Sequence, residues 1–389
     1  MPESARHSLP EPDALSAAHE DVVREHIAEK ILASGGNVPF SEYMALALYA
    51  PGIGYYTAGS TKFGAVGDFI TAPERGNLFA KVLARQCAAV LGETGGDIIE
   101  FGAGSGRLAA GVLAALDKRD ALPERYRIVE VSADLRDRQR SLLTRRVPEL
   151  VDRVRWDDTP PTSSWAGVAI GNEVLDALPV ERFRIAADGV QQLIVGCDDL
   201  DMKPRWAPAS AALAENIERL QSQLGRRLPE GYESEYCMML EAWLRAAAGR
   251  LKRGAVLFSD YGYGRNDYYG AERTRGTLTC HFRHHVHDDA FINVGIQDIT
   301  AWVDFSRTAE ALDAAGLDYI GYTTQSQFLL GGGLVEMLEE RGRDRRIAAE
   351  ARELTLPGGM GERFRVMGFA RGLGTKLAGF SGRDFGGRL

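Results

Sequence analysis

The chain is poor in cysteine. Cys87, Cys197, Cys237 and Cys280 are spread over 389 residues with no CxxC pair. That scatter excludes a disulfide framework and suits a reducing compartment. No apolar run approaches the length of a membrane-spanning helix, so no membrane insertion is expected. The charge is not basic either: 46 Lys and Arg stand against 54 Asp and Glu, a net −8. This argues against nucleic acid as the main partner. The first twenty-one residues carry Glu3, Glu11, Asp13 and Glu20 and no apolar centre. Neither a secretory signal nor a basic transit peptide is legible there, and the expected address is cytoplasmic. Also missing are the P-loop's Gly-Lys-Ser/Thr, H-E-x-x-H and G-x-S-x-G, which removes the phosphate loop, the helix-borne zinc hydrolase and the nucleophile elbow. At 45% hydrophobic residues the length supports one large α/β core plus an additional lobe.

What is present is a strand that ends on an acid and breaks into glycines. Asp97-Ile98-Ile99-Glu100-Phe101 runs into Gly102-Ala103-Gly104-Ser105-Gly106, then into the helical spacing of Leu108, Val112, Leu113 and Leu116. Strand, tight turn and helix make the nucleoside-binding corner of an open α/β sheet. A dinucleotide fingerprint needs G-x-G-x-x-G to seat a pyrophosphate on the helix N-terminus, and here the third glycine comes one residue early. An acid followed by G-x-G-x-G fits a ligand with a cationic amino-acid moiety and no phosphate: S-adenosylmethionine rather than NAD. Gly102, Gly104 and Gly106 let the backbone approach it, and Glu100 orients the turn and the ammonium side. A plain strand–helix turn is the competing reading. Tyr126 to Val131 reads as the next strand, with Glu130 near its end, where an acid holds ribose hydroxyls. The alternative for Glu130 is a solvated strand-end carboxylate.

The organisation follows from periodicity and breakers. Residues 1–16 read as a loose N-terminus. Residues 17–92 form a helical N-terminal region, with Val22, Val23, Ile27 and Ile31 on one face, a second short helix capped by Ser41, and a glycine-rich aromatic loop from Pro51 to Pro73. A Rossmann-like domain takes 93–181 and 231–371, interrupted by an inserted lobe at 182–230; residues 372–389 read as a loose tail. Strand ends then gather Gly102–Gly106, Glu130, Trp156-Asp157, Gly171–Asp176 and Asp260-Tyr261-Gly262 along one edge, where open α/β sheets bind ligands. Asp157 joins Glu130 on the cofactor side.

Asn172-Glu173-x-x-Asp176 follows the fourth strand, where a methyl acceptor must sit in line with the sulfonium. Asn172 can accept hydrogen bonds from an amine or guanidine, and Glu173 or Asp176 can pair with a guanidinium. A plain N-capped helix start is the other reading of these residues. His281, His284, His285 and His287 cluster in one segment, but H-x-x-H-H-x-H matches no closed zinc spacing; a polar loop at the rim of the site is expected, and no metal.

The chain resembles the MidA-type S-adenosylmethionine-dependent methyltransferase family, which includes the mitochondrial arginine methyltransferase of complex I assembly. The resemblance spans about Phe40 to Phe369. It rests on Tyr49–Tyr56, Gly67–Glu74, Glu100–Gly106, Asn172–Pro179, Asp260–Tyr263 and Asp298–Phe305. It implies a class I methyltransferase sheet with a lobe over the cofactor, and a protein arginine acceptor. A respiratory NADH dehydrogenase subunit is the partner it suggests, and a homodimer is compatible with it. By motif match Gly102, Gly104, Glu130 and the Gly67–Thr71 loop, with Asp68 and Thr71, fall on the cofactor side. Asn172, Glu173 and Asp176 fall on the acceptor side, with Glu235 a further acid at the start of the helix after the insertion. Two departures stand out: Gly-Ala-Gly-Ser-Gly replaces the family's frequent Gly-Pro-Gly-Arg-Gly, and the segment after Leu278 is rich in histidine. A small-molecule O- or N-methyltransferase and an assembly factor holding the cofactor structurally are the alternative functions.

Overall fold

A computed structural model describes residues 9–59, 71–341 and 344–389. The chain divides into two units. One comprises Ile70–Asp176, Leu240–Gly264 and Val303–Leu389, the other Met1–Phe69, Ala177–Met239 and Arg265–Trp302.

The first unit is built on an eight-stranded sheet: β1 Asp97–Phe101, β2 Tyr126–Val129, β3 Val154–Asp157, β4 Trp165–Asn172, β5 Leu251–Tyr263, β6 Val303–Asp304, β7 Asp318–Thr324 and β8 Phe364–Arg371. Their order is β7-β8-β5-β4-β1-β2-β3, with the short β6 beside the end of β5. Strands β1 to β6 run parallel, while β8 is antiparallel to both β5 and β7. From β1 the chain steps to β2 and β3, then returns to the other side of β1 as β4. The connections after β1 and β4 therefore run to opposite sides, which makes this the switch point whose crevice binds ligands in open α/β sheets.

The central strands read as continuous apolar runs because both of their faces are covered. On one face the helices Leu78–Thr94 and Arg107–Asp117 bury Phe79, Val82, Leu83, Leu108, Val112 and Leu113 in one cluster with Ile98, Val168 and Leu257. On the other, Trp243 of the helix Leu240–Ala248 packs edge-on against Phe101, ring centroids 5.2 Å apart. Each fully buried side chain of this kind contributes roughly 1.5–3 kcal/mol.

The second unit holds the helices Ala14–Ala33 and Phe40–Tyr49, a five-stranded antiparallel sheet and a three-stranded sheet. Val23, Ile27, Phe40 and Tyr43 share its core with Val195, Leu278, Val294 and Ile299.

Four boundaries differ from the expected ones. The helix Leu78–Thr94 belongs with the sheet, whose core it completes. Residues 182–230 are part of a larger unit that also takes in the N-terminal helices and 265–302, because those segments bury their apolar residues together. The tail is not loose: the Glu93 carboxylate accepts from the backbone of Gly374 (2.9 Å) and Thr375 (2.8 Å), Leu377 is buried, and Phe380 packs on Phe328. At the other end, the first helix already starts at Ala14, capped by Asp13. Ser41 caps nothing; its hydroxyl donates to Glu181, and Pro39 precedes the helix.

Candidate active site

The glycine turn leaves β1 in the left-handed region, with φ of 63° at Gly102, 51° at Gly104 and 84° at Gly106, a conformation L side chains rarely adopt. A Cβ on Gly102 would stand 3.2 Å from Val174 Cγ2, so the turn closely faces the segment after β4. Glu74, on the short helix Ala72–Arg75, braces the turn from outside: it accepts from Ser105 Oγ and pairs with Arg107 Nε at 2.9 Å.

Glu100 is buried below the turn and accepts a 2.7 Å hydrogen bond from the Tyr126 hydroxyl. Burial pushes its carboxyl up to about 7, partly offset by that hydroxyl and reinforced by Glu130. Glu130 follows β2. Its Oε1 accepts from Ser132 N at 2.9 Å, its Oε2 from Gln139 Nε2 at 3.1 Å. Burial raises its pKa, and these two donors oppose the rise. Asp157 ends β3 and is held by Arg127 Nε at 2.8 Å, while its carbonyl accepts from Glu130 N. Asp68 and most of the Gly67–Thr71 loop lie outside the described residues. Thr71 is half-buried and leads into the helix Ala72–Arg75.

On the far side of the crevice, β4 ends at Asn172 and the chain turns sharply, Glu173 taking a left-handed φ of 53°. Asn172 Nδ2 donates to Glu173 Oε1 at 3.0 Å, and Asn172 Oδ1 is buried with no hydrogen-bond partner among the described residues. Asp176 is buried a turn later. All of this is organised by Asp260, at the end of neighbouring β5. Its Oδ2 accepts from the backbone of Val174 (3.1 Å), Leu175 (2.9 Å) and Asp176 (3.4 Å), its Oδ1 from Tyr261 N (3.0 Å). Burial, with Asp176 and Glu173 nearby, raises the Asp260 pKa well above the usual carboxylate value; the backbone N–H groups pull the other way.

Glu235 differs from its expected position. It lies in the strand Glu233–Tyr236 of the second unit, not at a helix start. There its Oε2 accepts from Thr277 N (2.7 Å) and Thr277 Oγ1 (3.0 Å), and Oε1 stands 3.8 Å from Arg182 Nε. The histidines are likewise accounted for by secondary structure. Thr279–Phe282 pairs with His285–His287 across a two-residue turn at Arg283 and His284, both at positive φ. His281 is pushed down to about 4 by burial and by His287. Among the described residues no three His, Cys, Asp or Glu side chains are placed to hold a metal ion.

Gln139 was not singled out by sequence reasoning, while Asp260 and Trp156 were placed on the strand-end edge, and Glu74 in a motif, without an individual role. Asp260 had a visible signal as a strand-end acid. Gln139 had a fainter one, as the polar member of the stripe Leu135, Gln139, Leu143 buried by the helix Ala133–Arg146.

A family model of S-adenosyl-L-methionine-dependent methyltransferases matches residues 82–323. The chain belongs to this family. A solved COG1565 superfamily member from Burkholderia thailandensis, bound to S-adenosyl-homocysteine, superposes with a TM-score of 0.92 at 39% identity, over 98% of this chain and 100% of that one. A native structure from the same organism gives 0.90 at 40% identity, with the same coverage. Among curated proteins, the mitochondrial protein arginine methyltransferase NDUFAF7 of Danio rerio is 28% identical over 80% of this chain and 76% of its own length. The human protein of that name is 28% identical over 87% and 81%. The expected α/β methyltransferase fold and S-adenosylmethionine as cofactor both stand. The cytoplasmic address does not: the named relatives are mitochondrial, and a short acidic N-terminal stretch does not report a compartment. The crevice of this methyltransferase suits the cofactor. The glycine turn leaves no Cβ to fill the cradle, and each oxygen of Glu130 keeps acceptor capacity for a ribose hydroxyl.

Proposed function

We propose that this methyltransferase acts on a guanidine nitrogen of a protein arginine. The observation that carries the reading is the corner after β4. Three acidic side chains, Glu173, Asp176 and Asp260, converge on one short turn beside Asn172 Oδ1, a buried acceptor with no hydrogen-bond partner among the described residues. Such a corner favours a cationic, hydrogen-bond-donating acceptor over an alcohol or a carbanion. The relatives named as protein arginine methyltransferases support the choice of a polypeptide.

Bound in the crevice, the cofactor supplies an electrophilic methyl group on a sulfonium. Gly102, Gly104 and Glu130 hold it; Glu100 sets the turn from below. Asn172 Oδ1 accepts an N–H of the incoming guanidinium. Glu173 and Asp176 keep its positive charge on the nitrogens that do not react, so the third nitrogen keeps its lone pair for attack. A new N–C bond replaces the S–C bond, and the attacking nitrogen gives up one proton to solvent. Asp260 touches no reactant in this scheme; it fixes the backbone that carries Glu173 and Asp176.

The test is incubation of a cell extract with the chain and methyl-labelled cofactor, followed by peptide mapping. Label on arginine, lost with Glu173→Gln, is the expected outcome. Label confined to small molecules or to other side chains would overturn the reading. A respiratory NADH dehydrogenase subunit is the first purified acceptor to try.

A further inference from the structure

We propose that Gln139 is a positioning residue for the cofactor, a single amide that sets the glycine turn and the ribose-facing acid against each other. It rests on the assignment of Glu130 and the glycine turn to the cofactor. Gln139 is fully buried, and every hydrogen-bonding group of its side chain is used. Nε2 donates one proton to the Gly104 carbonyl at 3.0 Å and the other to Glu130 Oε2 at 3.1 Å. Oε1 accepts from Trp156 Nε1 at 2.9 Å. The amide has one tolerable orientation. Flipped, its oxygen would face a carbonyl and a carboxylate, and its NH2 would face an indole N–H. Three elements distant in sequence, the turn after β1, the end of β2 and the end of β3, are thereby locked through one side chain of the helix Ala133–Arg146.

The helix also packs by shape against the turn. A Cβ on Gly106 would come within 3.2 Å of Gln139 Cα, so turn and helix touch there without a side chain between them. Ser132 N and Gln139 Nε2 each take one lone pair of the Glu130 carboxylate, one per oxygen. With the Val131 N–H also acting on this carboxylate, acceptor capacity still remains of its roughly four directions, which is what a vicinal diol requires. Gln139 thus also favours the ionised form of Glu130 that accepts both hydroxyls.

The experiment is calorimetric titration with S-adenosylhomocysteine of the wild-type chain, Gln139→Leu, Gln139→Glu and Glu130→Gln, with thermal melts alongside. Gln139→Leu keeps the bulk and removes both donors; its affinity should fall roughly tenfold or more, since the lost bonds include one to a charged group. In Gln139→Glu the new carboxylate opposes Glu130 until it takes up a proton and regains a donor. Its affinity should therefore rise as the pH is lowered from 8 to 6. The wild type should show no such rise, because protonating Glu130 can only weaken it. A role in stability alone would lower the melting temperature and leave both the affinity and the sign of that slope unchanged, which would overturn the proposal. The pH slope of Gln139→Glu decides the matter if Gln139→Leu does not fold. Unchanged affinity in Glu130→Gln as well would overturn the assignment of Glu130 to the cofactor, and Gln139 with it.

Discussion

The two banks of the crevice are finished to different degrees. On the β1–β2–β3 bank the polar groups interlock: Gln139 is saturated, Glu130 has a protein donor on each oxygen, and Asp157 is held by Arg127. On the β4–β5 bank Asn172 Oδ1 and Ser259 Oγ are buried with no hydrogen-bond partner among the described residues. There Glu173 sits in the left-handed region, and a buried carboxylate holds the backbone. Buried polar groups left without partners cost free energy, so they persist where a ligand completes them. On the proposed assignment, one bank is prefabricated for a cofactor of constant shape. The other is left in electrostatic need of an acceptor.

The sharpest way to break this contrast is to damage each bank and ask whether the losses separate. Gly104→Val puts a β-branched side chain at φ of 51° on the cofactor bank. We expect S-adenosylhomocysteine binding to fall at least about 100-fold, beyond ready detection by calorimetry. The double variant Glu173→Gln, Asp176→Asn should do the opposite. Methyl transfer should drop about 10²–10³-fold, the scale of losing electrostatic stabilisation in the transition state, with cofactor affinity within about threefold of wild type. If turnover and cofactor binding fell together in both, the two banks would be one site and the contrast would fail.

Asp260 tests whether the acceptor bank is held from behind. Asp260→Ala strands the N–H groups of Val174, Leu175 and Asp176, which it now satisfies. Urea unfolding should show a loss of about 2–4 kcal/mol. Asp260→Asn retains an acceptor oxygen and should lose clearly less; equal losses would mean that the backbone bonds are not what the carboxylate contributes.

How much of this contrast was legible in the sequence depends on distance along the chain. The glycine turn, Glu130 and Asn172–Asp176 could be placed at strand ends because each is a local motif. Gln139 could not: its partners Gly104, Glu130 and Trp156 come from separate segments that only the strand order brings together. Asp260 showed as a strand-end acid, but its hold on Val174 to Asp176 requires β4 and β5 to be neighbours, with Asn172 level with Ser259. Glu235 misled because a helix start was expected where the chain forms a strand, in which Glu235 pairs with Arg182. The tail was misjudged from its glycines alone, without the Glu93 carboxylate that ties it down.

Glu100 gives the contrast a pH signature on the cofactor bank. Burial moves its carboxyl from the ordinary 4.5 up to about 7. Between those values the folded chain keeps a proton that the unfolded chain has lost. Its contribution is therefore most favourable below about pH 4.5, declines as the pH rises, and levels off above about 7. Glu100→Gln removes this titration, so its stability relative to wild type should grow with pH, by roughly 2–3 kcal/mol at pH 8 over pH 4.5. Parallel stability curves would place the Glu100 pKa near that of an exposed glutamate.

The smallest effect separates hydrogen bonding from packing on the same bank. Arg140 lies over the Trp156 ring, 4.8 Å from its centroid, and pairs with Asp137 at the surface at 3.2 Å. An exposed cation–π contact contributes about 0.5–1 kcal/mol, and an exposed ion pair about as little. Arg140→Ala leaves the Trp156 Nε1 bond to Gln139 in place. It should therefore lower stability by no more than about 1 kcal/mol and change S-adenosylhomocysteine affinity less than about twofold. Trp156→Phe is the counterpart. It keeps an aromatic ring under Arg140 but deprives Gln139 Oε1 of its donor, and affinity should weaken by about threefold to tenfold. Were Arg140→Ala to cost as much affinity as Trp156→Phe, general packing around Trp156 would be holding the cofactor bank in shape, and the hydrogen-bond lattice through Gln139 would be incidental to it.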